Sequence, residues 1–162
     1  MANVTVLQGN VRKRLGIISF IVKGAPYNLI VKLLNDRYGI QTRGGCSCAG
    51  TYGHHLLNVD QARSHKIWNA IHSGDLSSKP GWIRVSIHPT MTDHEIEFIM
   101  DAIELTSSNF REWMVDYDYD VSSNEYIIKM GKEKELPVVE DWFKFSCKAV
   151  AREMGRFEQY HN

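Results

Sequence analysis

The sequence predicts a small α+β or α/β domain in which helices lie against a short sheet, and α+β is the class expected here. Three observations carry that expectation. "RLGIISFIVKG" (14–24) is a near-continuous apolar run with glycine at both margins, and "WIRVSIH" (82–88) alternates apolar and polar residues; both are strand signatures. Stretches with apolar residues three and four apart lie between such runs, each opened or closed by a capping signal. The resulting order is strand, helix, strand, loop, helix, strand, helix, which suits helices layered on a small sheet.

Val4 to Leu7 reads as a short strand. The isoleucine-rich run 14–24 suits a strand buried on both faces. Pro26 then opens a helix, where its missing N–H costs nothing. Leu29, Ile30, Leu33 and Leu34 form that helix's apolar face, and Gly39 closes it in the left-handed conformation. "IQTR" (40–43) reads as a short strand leading into a Gly-Gly-Cys loop. Asp60 caps a second helix through about Ile71, ended near Gly74. Within "WIRVSIH", Ile83, Val85 and Ile87 point one way and Arg84 and Ser86 the other. "TDHE" (92–95) is a capping box, in which hydroxyl and carboxylate each meet a free backbone N–H. The helix behind it carries Ile96, Ile99, Met100 and Ile103 on one face.

Beyond Ser107 the pattern changes. "MVDYDYDVSSNEYIIKM" (114–130) predicts a hairpin with Ser-Ser-Asn at the turn, "KEKELP" is a polar break, and the residues from Val138 on predict a last helix. The expected organisation is a domain over 1–107 and an extension over 108–162, packed on the same unit.

The chain of 162 residues, 43% hydrophobic, is large and apolar enough for one real core. Its 19 basic and 19 acidic side chains cancel, which removes any electrostatic argument for nucleic acid or an anionic membrane as partner. No apolar run reaches bilayer length. The first residues lack the basic-then-apolar order of a signal peptide. Three cysteines, two of them one residue apart, make a poor disulfide framework. The expected compartment is therefore reducing and cytoplasmic, with free thiols.

The chemistry concentrates in "RGGCSCAGTYGHH" (43–55). Cys46, Cys48, His54 and His55 supply four possible metal ligands, but structural zinc usually takes pairs from two separated knuckles. Adjacent histidines also rarely reach one ion. Cys46 and Cys48 read equally well as small packed residues of a glycine-rich turn or as a place for a nucleophile. In the second case Arg43 would favour the thiolate. Arg84 reads as a surface arginine or as a fork binding a carboxylate through two parallel hydrogen bonds. Lys66, in "SHKIW", falls within a predicted helix and reads as a solvated lysine. His72, His88 and His94 have no evident partner. The Asp116, Asp118, Asp120 alternation lacks the glycine and late glutamate of a calcium loop and reads as a half-exposed sheet edge.

Two stretches carry a family resemblance. "GIISFIVKGAPYNLIVKLLNDRYGIQTRGGCSCAG" resembles the start of the C-terminal small domain of class V aminotransferase-like enzymes of fold-type I. These are pyridoxal-phosphate enzymes that include cysteine desulfurases and selenocysteine lyases. "KPGWIRVSIHPTMTDHEIEFIMDAIE" resembles the later strand and helix of the same domain, and the likeness runs from about Arg14 to Ser107. By this resemblance Cys48 stands where the family's persulfide-forming cysteine stands, and Arg84 where its substrate-carboxylate arginine stands. The cofactor's lysine, aspartate and phosphate cup belong to a large domain that the resemblance does not find here. Lys66 follows a histidine, as the family's lysine does, but it comes after the loop cysteine and lacks the glycine-rich turn beyond.

The resemblance thus implies a substrate-side domain, inactive alone, for an enzyme that takes an amino acid. Pyridoxal phosphate would be held by a large domain and not by this chain. The expected partner is that large domain, or a second copy through the same apolar surface. The loop is richer in cysteine than the desulfurase pattern, which leaves open a branch that uses no persulfide. A non-catalytic interaction module and a zinc-binding module remain as the alternatives.

Overall fold

The computed structural model describes residues 2–46 and 50–132. The helix expected after Val138, together with Cys48 and Cys147, lies outside the described residues.

The elements are β1 (Val4–Val6), β2 (Ile17–Val22), α1 (Tyr27–Tyr38), β3 (Arg43–Gly45), α2 (Gly50–Leu56), α3 (Gln61–His72), β4 (Trp82–Ser86) and α4 (Asp93–Trp113). A 3₁₀ turn (Met114–Asp116) then leads into a hairpin, β5 (Tyr117–Asp120) and β6 (Glu125–Ile128). Strands β1 to β4 form an antiparallel sheet in the order β1-β2-β4-β3, and the hairpin forms a sheet of its own. A mixed domain with a small antiparallel sheet and helices is the architecture, compatible with α+β.

Each helix forms for reasons that can be named. In α1, Leu29, Ile30, Leu33 and Leu34 recur at helical spacing and are fully buried. Pro26 occupies its N-cap with extended backbone, and Gly39 ends it at φ 66°, donating its N–H to the carbonyl of Asn35. Asp60 caps α3 by accepting from the backbone N–H of Arg63 at 2.7 Å. At the start of α4, the Thr92 hydroxyl accepts from the N–H of Glu95 while the Glu95 carboxylate accepts from the N–H of Thr92.

The core lies between one face of the sheet and the pair α1 and α4. Phe20 faces Ile83 across the β2–β4 ladder, and Ile18 faces Val85. These residues pack with the leucines of α1 and with Ile99, Ala102, Ile103 and Phe110 of α4. Removing a fully buried Leu or Phe from such a site costs about 3–5 kcal/mol. The hairpin is tied to α1 at both ends. Tyr117 donates to the buried carboxylate of Asp36 at 3.1 Å, and at the hairpin tip the Asn28 amide donates to the Asn124 side chain at 2.9 Å. Arg37 stacks over Trp113 at 4.1 Å and pairs with Asp116 at 3.6 Å, joining α1, α4 and the 3₁₀ turn.

Four details differ from the sequence expectation. The run 14–24 is buried on one face only: Phe20 and Val22 are enclosed, while Ile17, Ser19 and Ile21 face the sheet's second side and keep solvent contact. The strand expected at 40–43 pairs instead at Arg43–Gly45, because glycines that carry no apolar signal are what allow close approach there. The cysteine loop contains a helix, α2, whose two glycines and short length hid it. Finally, α4 runs unbroken through Ser107 to Trp113, so the expected boundary at 107/108 falls inside a helix.

Candidate functional site

Arg84 sits on β4 between Ile83 and Val85, which face the core, so its side chain projects from the sheet's second face. Cross-strand register puts Ser19 of β2 on one side of it and Arg43 of β3 on the other. Two guanidinium groups are therefore direct neighbours on one face. Like charges placed opposite one another in a ladder are destabilising. Among the described residues neither arginine has a hydrogen bond or ion pair from its side chain.

The end of β3 leads directly into the cysteine loop, and Tyr27 fixes its position. A Cβ on Gly44 would lie 2.7 Å from the Tyr27 ring, and one on Gly81 would lie 2.6 Å from it and 2.7 Å from the Cα of Gly45. Only glycine admits so close a backbone approach at both places. The Tyr27 hydroxyl accepts from the Asn124 amide at 2.8 Å, so the hairpin tip holds the ring in place. Burial pushes the Tyr27 phenol above its ordinary range, opposed by the Asn124 bond.

Cys46 is half-buried and free, and its thiol donates to the carbonyl of Pro80 at 2.8 Å. Burial pushes that thiol up, and the nearby charge of Lys79 opposes the shift without reversing it. Cys46 is a protonated, packed thiol rather than an activated one. Of the two readings of the loop cysteines, packing therefore describes Cys46. Cys48, the residue assigned to sulfur chemistry, lies outside the described residues.

His54 and His55 diverge. His54 is half-buried and shares a 3.2 Å hydrogen bond with the Ser64 hydroxyl, whereas His55 is exposed. Among the described residues no three of His, Cys, Asp and Glu converge to hold a metal ion. Lys66 stands exposed on α3. A lysine that forms a Schiff base needs desolvation or a comparable perturbation, and among the described residues the Lys66 ammonium has no carboxylate or hydroxyl partner. Asp120 accepts from the N–H and hydroxyl of Ser122 and from the hydroxyl of Ser123, which is turn capping. Asp116 pairs with Arg37 and Lys132, and Asp118 with Lys129.

Among the described residues no helix is long and apolar enough to cross a membrane. The sequence matches no protein-family profile and no curated protein.

Sequence reasoning singled out Arg84 but not its pairing with Arg43. Both arginines were visible, but the register that sets them side by side joins residues 41 positions apart. Tyr27, at the start of α1, drew no reading from the sequence. The available signal was the glycine at 44 and the one at 81, each requiring a large neighbour pressed against backbone.

Proposed function

We propose that this chain is the substrate-side domain of a pyridoxal-phosphate enzyme of the class V aminotransferase type, desulfurase-like, acting with a cofactor-holding domain supplied by another polypeptide region. The observation that supports it best is the Arg43–Arg84 pair on the sheet's second face. Two adjacent guanidinium groups without a counter-charge are a natural receptor for a carboxylate, which can accept parallel hydrogen bonds from a planar fork. Arg84, on a strand locked between β2 and β3, would hold the amino acid's carboxylate and orient the rest of the substrate away from the sheet. The assignment of Cys48 as the persulfide-forming residue rests on the motif that precedes Ala49, and no step is derived through the cofactor. A reducing, cytoplasmic compartment suits a chain whose three cysteines are expected to be free thiols.

The test is to express the chain together with its adjoining coding sequence and measure amino-acid turnover with pyridoxal phosphate. Arg84→Ala is expected to raise KM about 30- to 4,000-fold, the effect of about 2–5 kcal/mol from truncating one partner of a hydrogen-bonded charge pair. Cys48→Ser is expected to stop sulfur transfer and leave amino-acid binding intact. An unchanged KM in Arg84→Ala rejects the reading. So does a Schiff base at Lys66 in the 162-residue chain alone, trapped by borohydride and located by peptide mass mapping.

A further inference from the structure

A cleft of about 800 Å³ opens between the β1–β2 part of the sheet's second face, the start of α1, helix α3 and the loop that precedes β4. That size suits a small organic ligand, for which sites commonly span about 300–1,000 Å³. Its floor is apolar, formed by Ile21, Leu57 and the buried Ile67. Its rim is cationic: Lys23 comes from the β2–α1 turn, Arg63 and Lys66 from α3, and Lys79 from the loop before β4. Among the described residues no aspartate or glutamate lines it.

With 19 cations balanced by 19 anions, a cleft drawing four side chains of one sign from three segments has gathered charge against its own repulsion. Among the described residues none of these four side chains has a hydrogen bond or ion pair. The start of α1 reinforces the same sign. Gly24, Ala25, Pro26 and Tyr27 line the cleft, and the helix has neither a side-chain cap nor an acid in its first turn. The positive end of its dipole is thus directed at the cleft without a protein counter-charge. Ser77 and Ser78 add hydroxyl donors.

We propose that this cleft binds an organic di- or polyphosphate, with the phosphates at the cationic rim and an apolar or aromatic group on the Ile21–Ile67 floor. A single phosphate monoester, with a charge of about −1.5 to −2, would leave much of the rim uncompensated. The site is separate from the Arg43–Arg84 pair, and the inference stands whether or not the reading of that pair survives.

Isothermal titration of the 162-residue chain with inorganic pyrophosphate and with ADP tests it. Neither probe carries an aldehyde, so binding owes nothing to Schiff-base chemistry. Both are expected to bind, ADP more tightly because its adenine covers the apolar floor, and both more weakly as salt rises. Lys66→Gln and Arg63→Gln should each weaken pyrophosphate about tenfold or more. Lys66→Arg should retain binding, and Arg12→Gln, outside the cleft, should leave it unchanged. All these side chains are exposed, so melting temperatures should match the parent protein. Absence of binding by both probes at millimolar concentration overturns the proposal. An equal loss in Arg12→Gln and Lys66→Gln also overturns it, since that pattern means diffuse attraction, and ADP binding no tighter than pyrophosphate removes the apolar half of the ligand.

Discussion

Replacing Tyr117 by phenylalanine isolates one buried hydrogen bond between the hairpin and the core. Tyr117 is 5% exposed and Asp36 is 7% exposed, and the phenol donates to the carboxylate at 3.1 Å. Phenylalanine keeps the ring packing and deletes only the donor. Asp36 retains Lys32 at 3.2 Å on its other oxygen, so its charge is not left without a partner. A hydrogen bond to a charged group contributes about 1.5–3 kcal/mol, and about 2 kcal/mol is expected at pH 7. In a protein of this size that corresponds to a drop in Tm of about 4–8 °C. Burial, with the Asp36 charge beside it, also pushes the Tyr117 phenol far above its ordinary range. The native state therefore keeps this proton after the unfolded state, titrating near pH 10, has released it. The stability tied to Tyr117 is fully present below pH 10 and declines above it, by at most about 1.4 kcal/mol per pH unit. The gap between the two proteins should thus narrow above pH 10 and close near pH 11.5. Other tyrosines titrate in both proteins and cancel in the difference. Urea denaturation at stepped pH measures it, with Asp36→Asn completing a double-mutant cycle. A loss under about 0.5 kcal/mol at pH 7, or a gap constant up to pH 11.5, would refute the reasoning.

Gly81→Ala sets a methyl 2.6 Å from the Tyr27 ring and 2.7 Å from the Cα of Gly45. It should cost about 1–3 kcal/mol by urea midpoint, with Tyr27→Leu recovering part of the loss in the double variant. Cys46, in a Cys48→Ser, Cys147→Ser background, should alkylate with iodoacetamide more slowly at pH 7.5 than a cysteine in a short peptide. Burial raises its pKa and its proton is engaged by the carbonyl of Pro80. Lys79→Ala removes a charge that opposes the shift and should slow the reaction further.

The parts of the fold that could be read from sequence are those whose cause is local. The Thr92–Glu95 box, the Asp60 cap and the leucine spacing of α1 each operate within four residues, and each forms as expected. Readings that depended on what lies across the sheet fared differently. Apolarity in 14–24 says that both faces avoid water, but it cannot say which face is covered by this chain's own helices. Ile17 is 43% exposed although it belongs to the same run as the enclosed Phe20. Strand β3 escaped because Gly44 and Gly45 have no side chain to show periodicity. Helix α2 escaped because "GTYGHHL" has low intrinsic helix propensity and too few residues to display a period.

The candidate sites follow the same division. Arg84 was legible because a polar residue alternating with apolar ones must project from the face opposite the core, whatever the tertiary fold. Its partner Arg43 was not, since only register brings the two together. The basic cleft left no trace in the sequence, because Lys23, Arg63, Lys66 and Lys79 are ordinary solvated residues where each stands. A net charge of zero concealed them further. Neutrality is a sum over the whole chain, and the structure divides that sum unevenly. The acids Asp36, Asp116 and Asp118 have cations paired to them along α1 and the hairpin. The side chains of Arg43, Arg84 and the four cleft residues have no acid paired to them among the described residues. Unbalanced charge of one sign lowers the free energy of a fold only when something of the opposite sign arrives. The second face of the sheet is therefore where anionic ligands should be sought, and Arg84→Ala and Lys66→Gln, one at each location, separate the two.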